Sequence, residues 1–382
     1  MRFFVYLIVF FSFFDLFSQL PIMSPFALSL GASSFVTGLA VGIYSFSNTI
    51  GNVLSGFMTD RKGPFIVLLT GLFASSISLY LYMFVNGPYS LLGIRFIHGF
   101  MEGLIVPAAF TFLANRAKES KRGRSVAISG AFVGMAAIVG PAYSGIVASK
   151  TSVATIMMIN GVIMMILAIL AIFLLRNFSF RRKGKSAPGQ TFKVRELFRH
   201  PGMLRAFAGA FFLMFSQGVL ALILPLKVEA LGFDTKMTGM LLSTFGIVAI
   251  LIFLLPINRI FDQVRPMVTL ALGISIMGAS MLLLSQMDEL LYLFVALAIY
   301  GIGFAFLFPS INSLLIDSSS PDYRGKAYGY FYAFFSIGVV AGSSVIGYLD
   351  LSYNGGFMVT GFILIGIALY TILGMRNQKS YM

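Results

Sequence analysis

The chain has 382 residues, of which 58% are hydrophobic and 10% are charged, and its formal net charge is +14. Apolar runs of about 20 residues recur from end to end, which excludes an ordinary soluble domain and is typical of membrane-spanning helices. The chain has no cysteine, which excludes disulfides and thiolate metal sites. Its basic residues lie in short loops between apolar runs, a placement typical of membrane topology rather than of nucleic-acid binding.

The apolar runs predict twelve transmembrane helices and an all-α membrane protein. The first run has no small-residue cleavage site, and Asp15 interrupts it, so we interpret it as a retained helix rather than a signal peptide. The predicted helices lie, in chain order, near 3–28, 36–58, 64–85, 89–114, 124–149, 153–175, 203–230, 236–257, 266–286, 290–316, 323–349 and 355–375.

Lysine and arginine concentrate on one side of these helices. They follow the even-numbered helices, as in Arg61–Lys62 and the cluster at 116–124, and they are dense in the central loop. The opposite loops hold only Lys150, Lys227 and Lys236. Because cytoplasmic loops carry the excess of positive charge, this side is predicted to be cytoplasmic, with both termini inside the cell and the chain passing repeatedly through the cell membrane.

A polar segment at 176–202 divides the chain almost in half. Its Gly, Pro, Ser and basic residues indicate a solvated cytoplasmic linker. The predicted domains are therefore a six-helix bundle at 1–175, the linker, and a second six-helix bundle at 203–382.

The two halves have similar sequences. FSQ at 17–19 recurs at 215–217, and later matches share a steady offset. These later matches pair Gly99 with Gly301, Pro107 with Pro309, Gly140 with Gly342 and Gly145 with Gly347. Two similar six-helix halves indicate a transporter architecture.

Three local patterns resemble those of one family. GFMTDRKG at 56–63 is similar to the G-x-x-x-D-R-x-G loop of major facilitator superfamily transporters, and LLGIRFIHG at 91–99 is similar to their helix-four pattern. GMAAIVGPAYSG at 134–145 is similar to the helix-five G-x-x-x-G-P-x-x-G pattern of antiporters and exporters. The resemblance covers the whole chain and implies a twelve-helix drug or metabolite exporter with two pseudo-symmetric six-helix bundles and alternating access.

The resemblance also implies roles for two motifs. A cytoplasmic gate, which holds the outward-open state closed on the inside, would consist of Gly56, Asp60, Arg61 and Gly63. The helix-five antiporter motif would consist of Gly134, Gly140, Pro141 and Gly145. Pro64 and Phe65 replace the usual basic pair of the gate, and Ser343 stands where Pro141 would fall in the second half, so a bend is expected in the first half only.

The fourth predicted helix carries three ionisable residues in an apolar segment. Arg95, His98 and Glu102 are spaced i, i+3, i+7, so they share one helical face. A charge at the bilayer centre costs at least about 2.5–3.5 kcal/mol, and this face must therefore point into the bundle or a wet cavity. The second half has Leu297 and Phe304 in place of Arg95 and Glu102. These charges therefore serve a role that is specific to the first half.

Helix one offers partners for this face, because Asp15 and Gln19 lie four residues apart. We hypothesise that Asp15 and Glu102 are the protonatable groups of a proton-coupled transporter, with Arg95 holding one of them ionised. His98 either joins the relay or only forms hydrogen bonds within the bundle. The alternative is a static network of Asp15, Arg95 and Glu102 that fixes helix packing.

Other polar and aromatic residues are candidates for a substrate cavity. Phe, Tyr and Met number 41, 16 and 21, a composition that suits hydrophobic or cationic ligands. The candidate cavity residues are Gln19, Tyr44, Asn48, Gln217, Tyr300 and Asn312.

The sequence favours a secondary active exporter, and it leaves the substrate open. No GxxxxGK[ST] loop exists to bind ATP, so a proton-driven antiporter is preferred. The substrate is either a range of amphipathic drugs or an endogenous small zwitterionic metabolite or metallophore. The alternative is an importer or uniporter of a sugar or organic anion, in which Arg95 clamps a carboxylate.

Several partners and activities are not expected. No nucleophile–base set supports an enzyme, and no cofactor is implied. His98 and His200 lie far apart without an HxxxH or HExxH context, so no metal site is predicted. The expected partners are a small-molecule substrate, protons and the lipid bilayer but not nucleic acid, and the protein is expected to work as a monomer.

Overall fold

The computed structural model describes residues 2–114, 122–176, 198–255, 263–319 and 324–379. Fourteen α-helices and one short 3₁₀ turn account for nearly all of these residues. The described chain divides into two compact units, Met1–Ala187 with Asp234–Met240, and Pro188–Phe233 with Leu241–Met382. The predicted linker at 176–202 lies mostly outside the described residues.

The first unit contains eight of the helices. They are α1 (Arg2–Ser18), α2 (Met23–Ser29), α3 (Ser34–Lys62), α4 (Pro64–Tyr80), α5 (Pro88–Glu102), α6 (Ile105–Ala114), α7 (Arg122–Ala148) and α8 (Val153–Leu175). α1 packs on α7, α3 on α5, and α4 on α8. Apolar side chains such as Ile8, Leu68, Leu72 and Met164 fill the core between them.

The remaining six helices repeat two of these pairings. They are α9 (Pro201–Ala230), α10 (Thr235–Leu254), α11 (Pro266–Gln286), α12 (Leu290–Asp317), α13 (Arg324–Leu349) and α14 (Tyr353–Lys379). The first residues of α10 belong to the first unit, and the rest of this helix belongs to the second. α9 packs on α13, and α11 packs on both α12 and α14.

Two predicted spans are each broken into two helices. The first, predicted as one helix over 3–28, consists of α1 and α2, which are bent by 47°. Pro21 lies in this break, where it supplies no N–H to continue a helix. The fourth, predicted as one helix over 89–114, is interrupted at Gly103–Leu104, where Ser55 Oγ donates a 2.8 Å hydrogen bond to the carbonyl of Leu104. Side-chain donors of this kind satisfy backbone groups that a broken helix leaves free inside a membrane.

Nine helical segments among the described residues are long and apolar enough to cross a membrane, or ten if α1 and α2 count as one span. The structure therefore supports most, but not all, of the twelve predicted spans. α3 is absent from this set because Ser, Thr and Asn side chains interrupt its apolar sequence. α7 contributes only a shorter apolar segment, Phe132–Ala148.

Candidate functional site

Four ionisable residues of the first unit lie inside its core. Asp15 is on α1, and Arg95, His98 and Glu102 are on α5. Their exposed fractions are 0%, 3%, 0% and 2%, respectively. The structure thus brings together the four residues that the sequence proposes for proton coupling.

Asp15 is held by amide side chains on both of its carboxylate oxygens. Asn160 Nδ2 donates to Oδ1 over 2.8 Å, and Gln19 Nε2 donates to Oδ2 over 2.7 Å. The sequence analysis overlooked Asn160, although a lone asparagine in the otherwise apolar α8 is itself a signal for a buried polar contact. The carboxylate of Asp15 is therefore held by Asn160 on α8 and by Gln19, the first residue after α1.

Glu102 accepts hydrogen bonds from two serines on different helices. Ser12 Oγ of α1 donates to Oε1, and Ser75 Oγ of α4 donates to Oε2. Both serines are buried, and the sequence analysis did not select either of them. Glu102 is the last residue of α5, where the negative end of the helix dipole adds to its own charge. The position therefore favours a positively charged partner or a proton.

Arg95 forms no ion pair with either carboxylate within the described part of the chain. Its Nε donates to the carbonyl of Ala40 over 2.6 Å, and its Nη2 donates to the carbonyl of Val41 over 3.1 Å. Its Nη1 donates to Gln19 Oε1. Arg95 thus reaches Asp15 through the amide of Gln19, while two of its other donors bind carbonyl groups of α3.

His98 lies between the two carboxylates. Its Nδ1 is 3.3 Å from the hydroxyl of Tyr82, and its Nε2 is 3.2 Å from Asp15 Oδ2. The latter distance permits an ion pair with a protonated ring, but the angles do not form a hydrogen bond, and Nε2 has no other hydrogen-bond partner among the described residues. One ligand atom each of Asp15, His98 and Glu102 lies within 4.8 Å of the others. These three residues, called the acidic cluster below, are close enough to share one bound cation or a proton.

The other predicted cavity residues are divided between the two units. Tyr44 is buried against Arg95, whose guanidinium carbon is 5.0 Å from the centre of its ring. Asn48, also on α3, accepts a 2.9 Å hydrogen bond from Asn52. In the second unit, the hydroxyl of Tyr300 donates to Gln217 over 2.9 Å. Asn312 Nδ2 donates to the carbonyl of Phe308, also in the second unit.

The predicted gate lies where α3 ends. Gly56, Asp60 and Arg61 are in the last turns of this helix, and Arg61 is exposed. Gly63 ends it with a φ of 86°, which favours glycine, and its N–H donates to the carbonyl of Thr59. The side chain of Asp60 lies outside the described part, so its role stays a prediction.

The helix-five motif lies in α7, which contains Gly134 and continues through Pro141. A Cβ atom on Gly140 would be 3.0 Å from the carbonyl oxygen of Phe14 in α1. A Cβ atom on Gly145 would be 3.0 Å from the Cα atom of Gly239, in the segment of α10 that belongs to the first unit. These glycines permit close helix packing, as the small-residue pattern predicts.

Comparison with known proteins gives consistent results. The model of the Major Facilitator Superfamily matches residues 5–251 and 206–380. The chain is 24% identical to the multi-drug resistance efflux pump PmrA of Streptococcus pneumoniae, covering 94% of this chain and 91% of that protein. It is 24% identical to the multidrug resistance protein MdtG of Klebsiella pneumoniae, covering 90% and 84%, respectively. The solved structure of the nucleoside transporter NupG has a similar fold, with a TM-score of 0.83, 15% identity and coverage of 98% and 99%.

Proposed function

This chain belongs to the Major Facilitator Superfamily, and from that premise we propose that it exports a small molecule from the cell in exchange for protons, by alternating access. The observation that carries the proposal is the acidic cluster, in which two carboxylates and an imidazole meet inside the packed helices of the first unit. Ionisable groups within membrane spans are costly and usually serve transport.

The surroundings of the two carboxylates favour proton exchange. Asp15 and Glu102 are desolvated, and among the described side chains no lysine or arginine is ion-paired with either of them. A buried negative charge without a partner is costly, so a proton on the cluster lowers its free energy. A proton-coupled exchanger requires a site that holds a positive charge in one state and releases it in another.

The direction and the substrate class are inferred from the relatives and from the motif in α7. One similar protein is named a multi-drug resistance efflux pump and another a multidrug resistance protein, which favours export of amphipathic compounds. The polar character of the acidic cluster favours a cargo with charged groups, such as a zwitterionic metabolite or metallophore. A carboxylate clamp on Arg95, as an organic-anion importer would need, is disfavoured because three of its five N–H groups already donate, to Gln19 and to two carbonyls of α3.

The orientation is proposed from the distribution of positive charge. Both termini are placed in the cytoplasm, with the predicted gate on the same side. We further propose that one chain is the transporting unit, since the acidic cluster is formed by residues of one unit of one chain.

Proton flux in liposomes tests this function. The purified chain would be reconstituted with a pH-sensitive dye inside, and drugs or zwitterionic metabolites would be added. Wild type is expected to give a substrate-evoked proton signal that is lost in Asp15→Asn or Glu102→Gln. Asp317→Asn is the matched control, because Asp317 is an exposed carboxylate at the end of α12. Substrate movement without a proton signal, unchanged in both cluster variants, would exclude proton coupling.

A further inference from the structure

We infer that Asp15, His98 and Glu102 form a binding site for one divalent transition-metal ion. This inference goes beyond the proposed function, which needs no metal. It also reverses the expectation from the sequence, in which the two histidines have no metal-binding context. His98 and Glu102 lie one turn apart on α5, but Asp15 comes from α1, so no local spacing in the sequence could reveal the full set.

The unpartnered nitrogen of His98 is the first observation. The imidazole is fully buried, and its Nε2 lies 3.2 Å from Asp15 Oδ2 without forming a hydrogen bond. Two ligand atoms bound to one tetrahedral ion at about 2.0–2.1 Å are separated by about 3.3 Å. The separation of Nε2 and Oδ2 therefore suits two ligands of the same metal ion.

The third ligand lies within reach of the same ion. A carboxylate oxygen of Glu102 is within 4.8 Å of the ligand atoms of both other residues. Two carboxylates and a neutral imidazole carry two negative charges, which match a divalent ion. Carboxylates and imidazole together suit Mn²⁺, Fe²⁺, Co²⁺ and Zn²⁺, whereas Ca²⁺ and Mg²⁺ prefer oxygen ligands alone.

Each ligand is also oriented by neighbours that do not belong to the cluster. The amides of Gln19 and Asn160 hold Asp15, and the hydroxyls of Ser12 and Ser75 hold Glu102. The hydroxyl of Tyr82 contacts Nδ1 of His98, which directs Nε2 towards the two carboxylates. Outer hydrogen bonds of this kind orient the ligands of metal sites and raise their affinity.

The repeat shows that the fold does not need these residues. By the sequence matches between the halves, Leu213, Tyr300 and Phe304 take the places of Asp15, His98 and Glu102 in the second unit. The second unit repeats the α1–α7 and α4–α8 pairings, as α9–α13 and α11–α14, with these neutral residues. The three ligands are thus an addition to the first unit.

Titration of the purified, untagged chain with Co²⁺ tests the inference directly. The visible absorption of Co²⁺ changes when protein ligands replace water, so binding is measured without transport. Wild type is expected to bind one Co²⁺ per chain, and His98→Gln and Glu102→Gln are expected to lose at least about tenfold in affinity, the lower end of the loss seen for outer partners alone. The matched control is His200→Gln, which removes the other of the two histidines and should leave binding unchanged.

If a cluster variant fails to fold, a second measurement tests whether His98 binds the metal ion. In the His200→Gln background, His98 is the only imidazole, so pulsed EPR of bound Mn²⁺ is expected to detect its nitrogen. No saturable Co²⁺ binding by wild type, binding unaffected by His98→Gln in folded protein, or Mn²⁺ without a nitrogen signal would each overturn the inference. Competition by equimolar Ca²⁺ or Na⁺ would also overturn it. Because binding is measured apart from proton flux, failure here is distinct from failure of the proposed export.

Discussion

Arg95 donates a hydrogen bond to Gln19 Oε1, and the amide nitrogen of the same Gln19 donates to Asp15 Oδ2 over 2.7 Å. One neutral side chain thus separates the guanidinium from the carboxylate while binding both. Gln19 lies directly after α1, at the break in the first span, and it is buried. Arg95 therefore orients the carboxylate of Asp15 through Gln19, and the two groups form no direct ion pair.

Replacing Gln19 is expected to destabilise the first unit. Gln19→Ala leaves one donor of Arg95 and one acceptor of Asp15 without this partner, and hydrogen bonds to charged groups contribute about 1.5–3 kcal/mol each. The measurement is thermal unfolding of the purified protein in detergent. Gln217→Ala is the matched control in the second unit, where only a neutral bond with Tyr300 is lost, at about 0.5–1.5 kcal/mol. Equal losses in the two variants would contradict the bridging role of Gln19.

Asn160 is expected to be needed for exchange although it carries no charge. Asn160→Ala removes the donor to Asp15 Oδ1 and also a 3.0 Å bond to Ser18. A loss of about 1.5–3 kcal/mol from a bond to a charged group corresponds to a tenfold or larger change in an equilibrium constant. Substrate-evoked proton flux should therefore fall at least about tenfold in folded protein.

The control for Asn160 is Thr360→Ala, in the matching region of α14. Thr360 is buried and donates only to the carbonyl of Gly356, within its own helix. Flux in this variant should stay near wild type. An Asn160→Ala protein that exchanges at the wild-type rate would show that the orientation of Asp15 does not matter for coupling.

Gly140 is expected to tolerate no side chain. Gly140→Leu would insert four carbon atoms where the backbone of α1 already limits a Cβ atom, and overpacking usually costs about 1–3 kcal/mol. The thermal midpoint in detergent should fall. Gly366→Ala in α14 is the control, because a Cβ atom there meets nothing within 4 Å, and alanine is the better helix former. A Gly140→Leu protein as stable as wild type would contradict close packing of α7 on α1.

Lys227 is expected to contribute more stability than its ion-pair partner. Its buried ammonium donates to the carbonyl of Leu284 over 2.7 Å and to Asn354 over 2.8 Å, and it lies 3.0 Å from Asp288. Lys227→Met leaves these three acceptors, on α11, on α14 and in the turn after α11, without their donor. By analogy with broken buried pairs, this costs about 3–5 kcal/mol.

Asp288→Asn should cost only about 0–1 kcal/mol, because the side chain of Asp288 is 60% exposed and water screens its charge. Chemical unfolding of both variants in detergent measures the difference. If Asp288→Asn were as damaging as Lys227→Met, the exposed ion pair rather than the buried hydrogen bonds would hold these ends together.

The sequence by itself determined the class of the protein and the region of its site. Hydropathy is a property of contiguous segments, so the apolar runs identified a multi-span membrane protein, which the family match and the helical structure confirm. The i, i+3, i+7 spacing of Arg95, His98 and Glu102 was sufficient to predict one buried face, because helical geometry is local.

Only the tertiary structure decided which atoms meet. Ser12, Ser75 and Asn160 lie far from Glu102 or Asp15 in the chain, and their contacts depend on how α1, α4 and α8 are rotated and packed. The same holds for Arg95, whose donors are taken by carbonyl groups of α3 and by Gln19. Periodicity within one helix specifies a face but not the neighbour opposite it, so the acidic cluster and its partners emerge only when the helices are packed together.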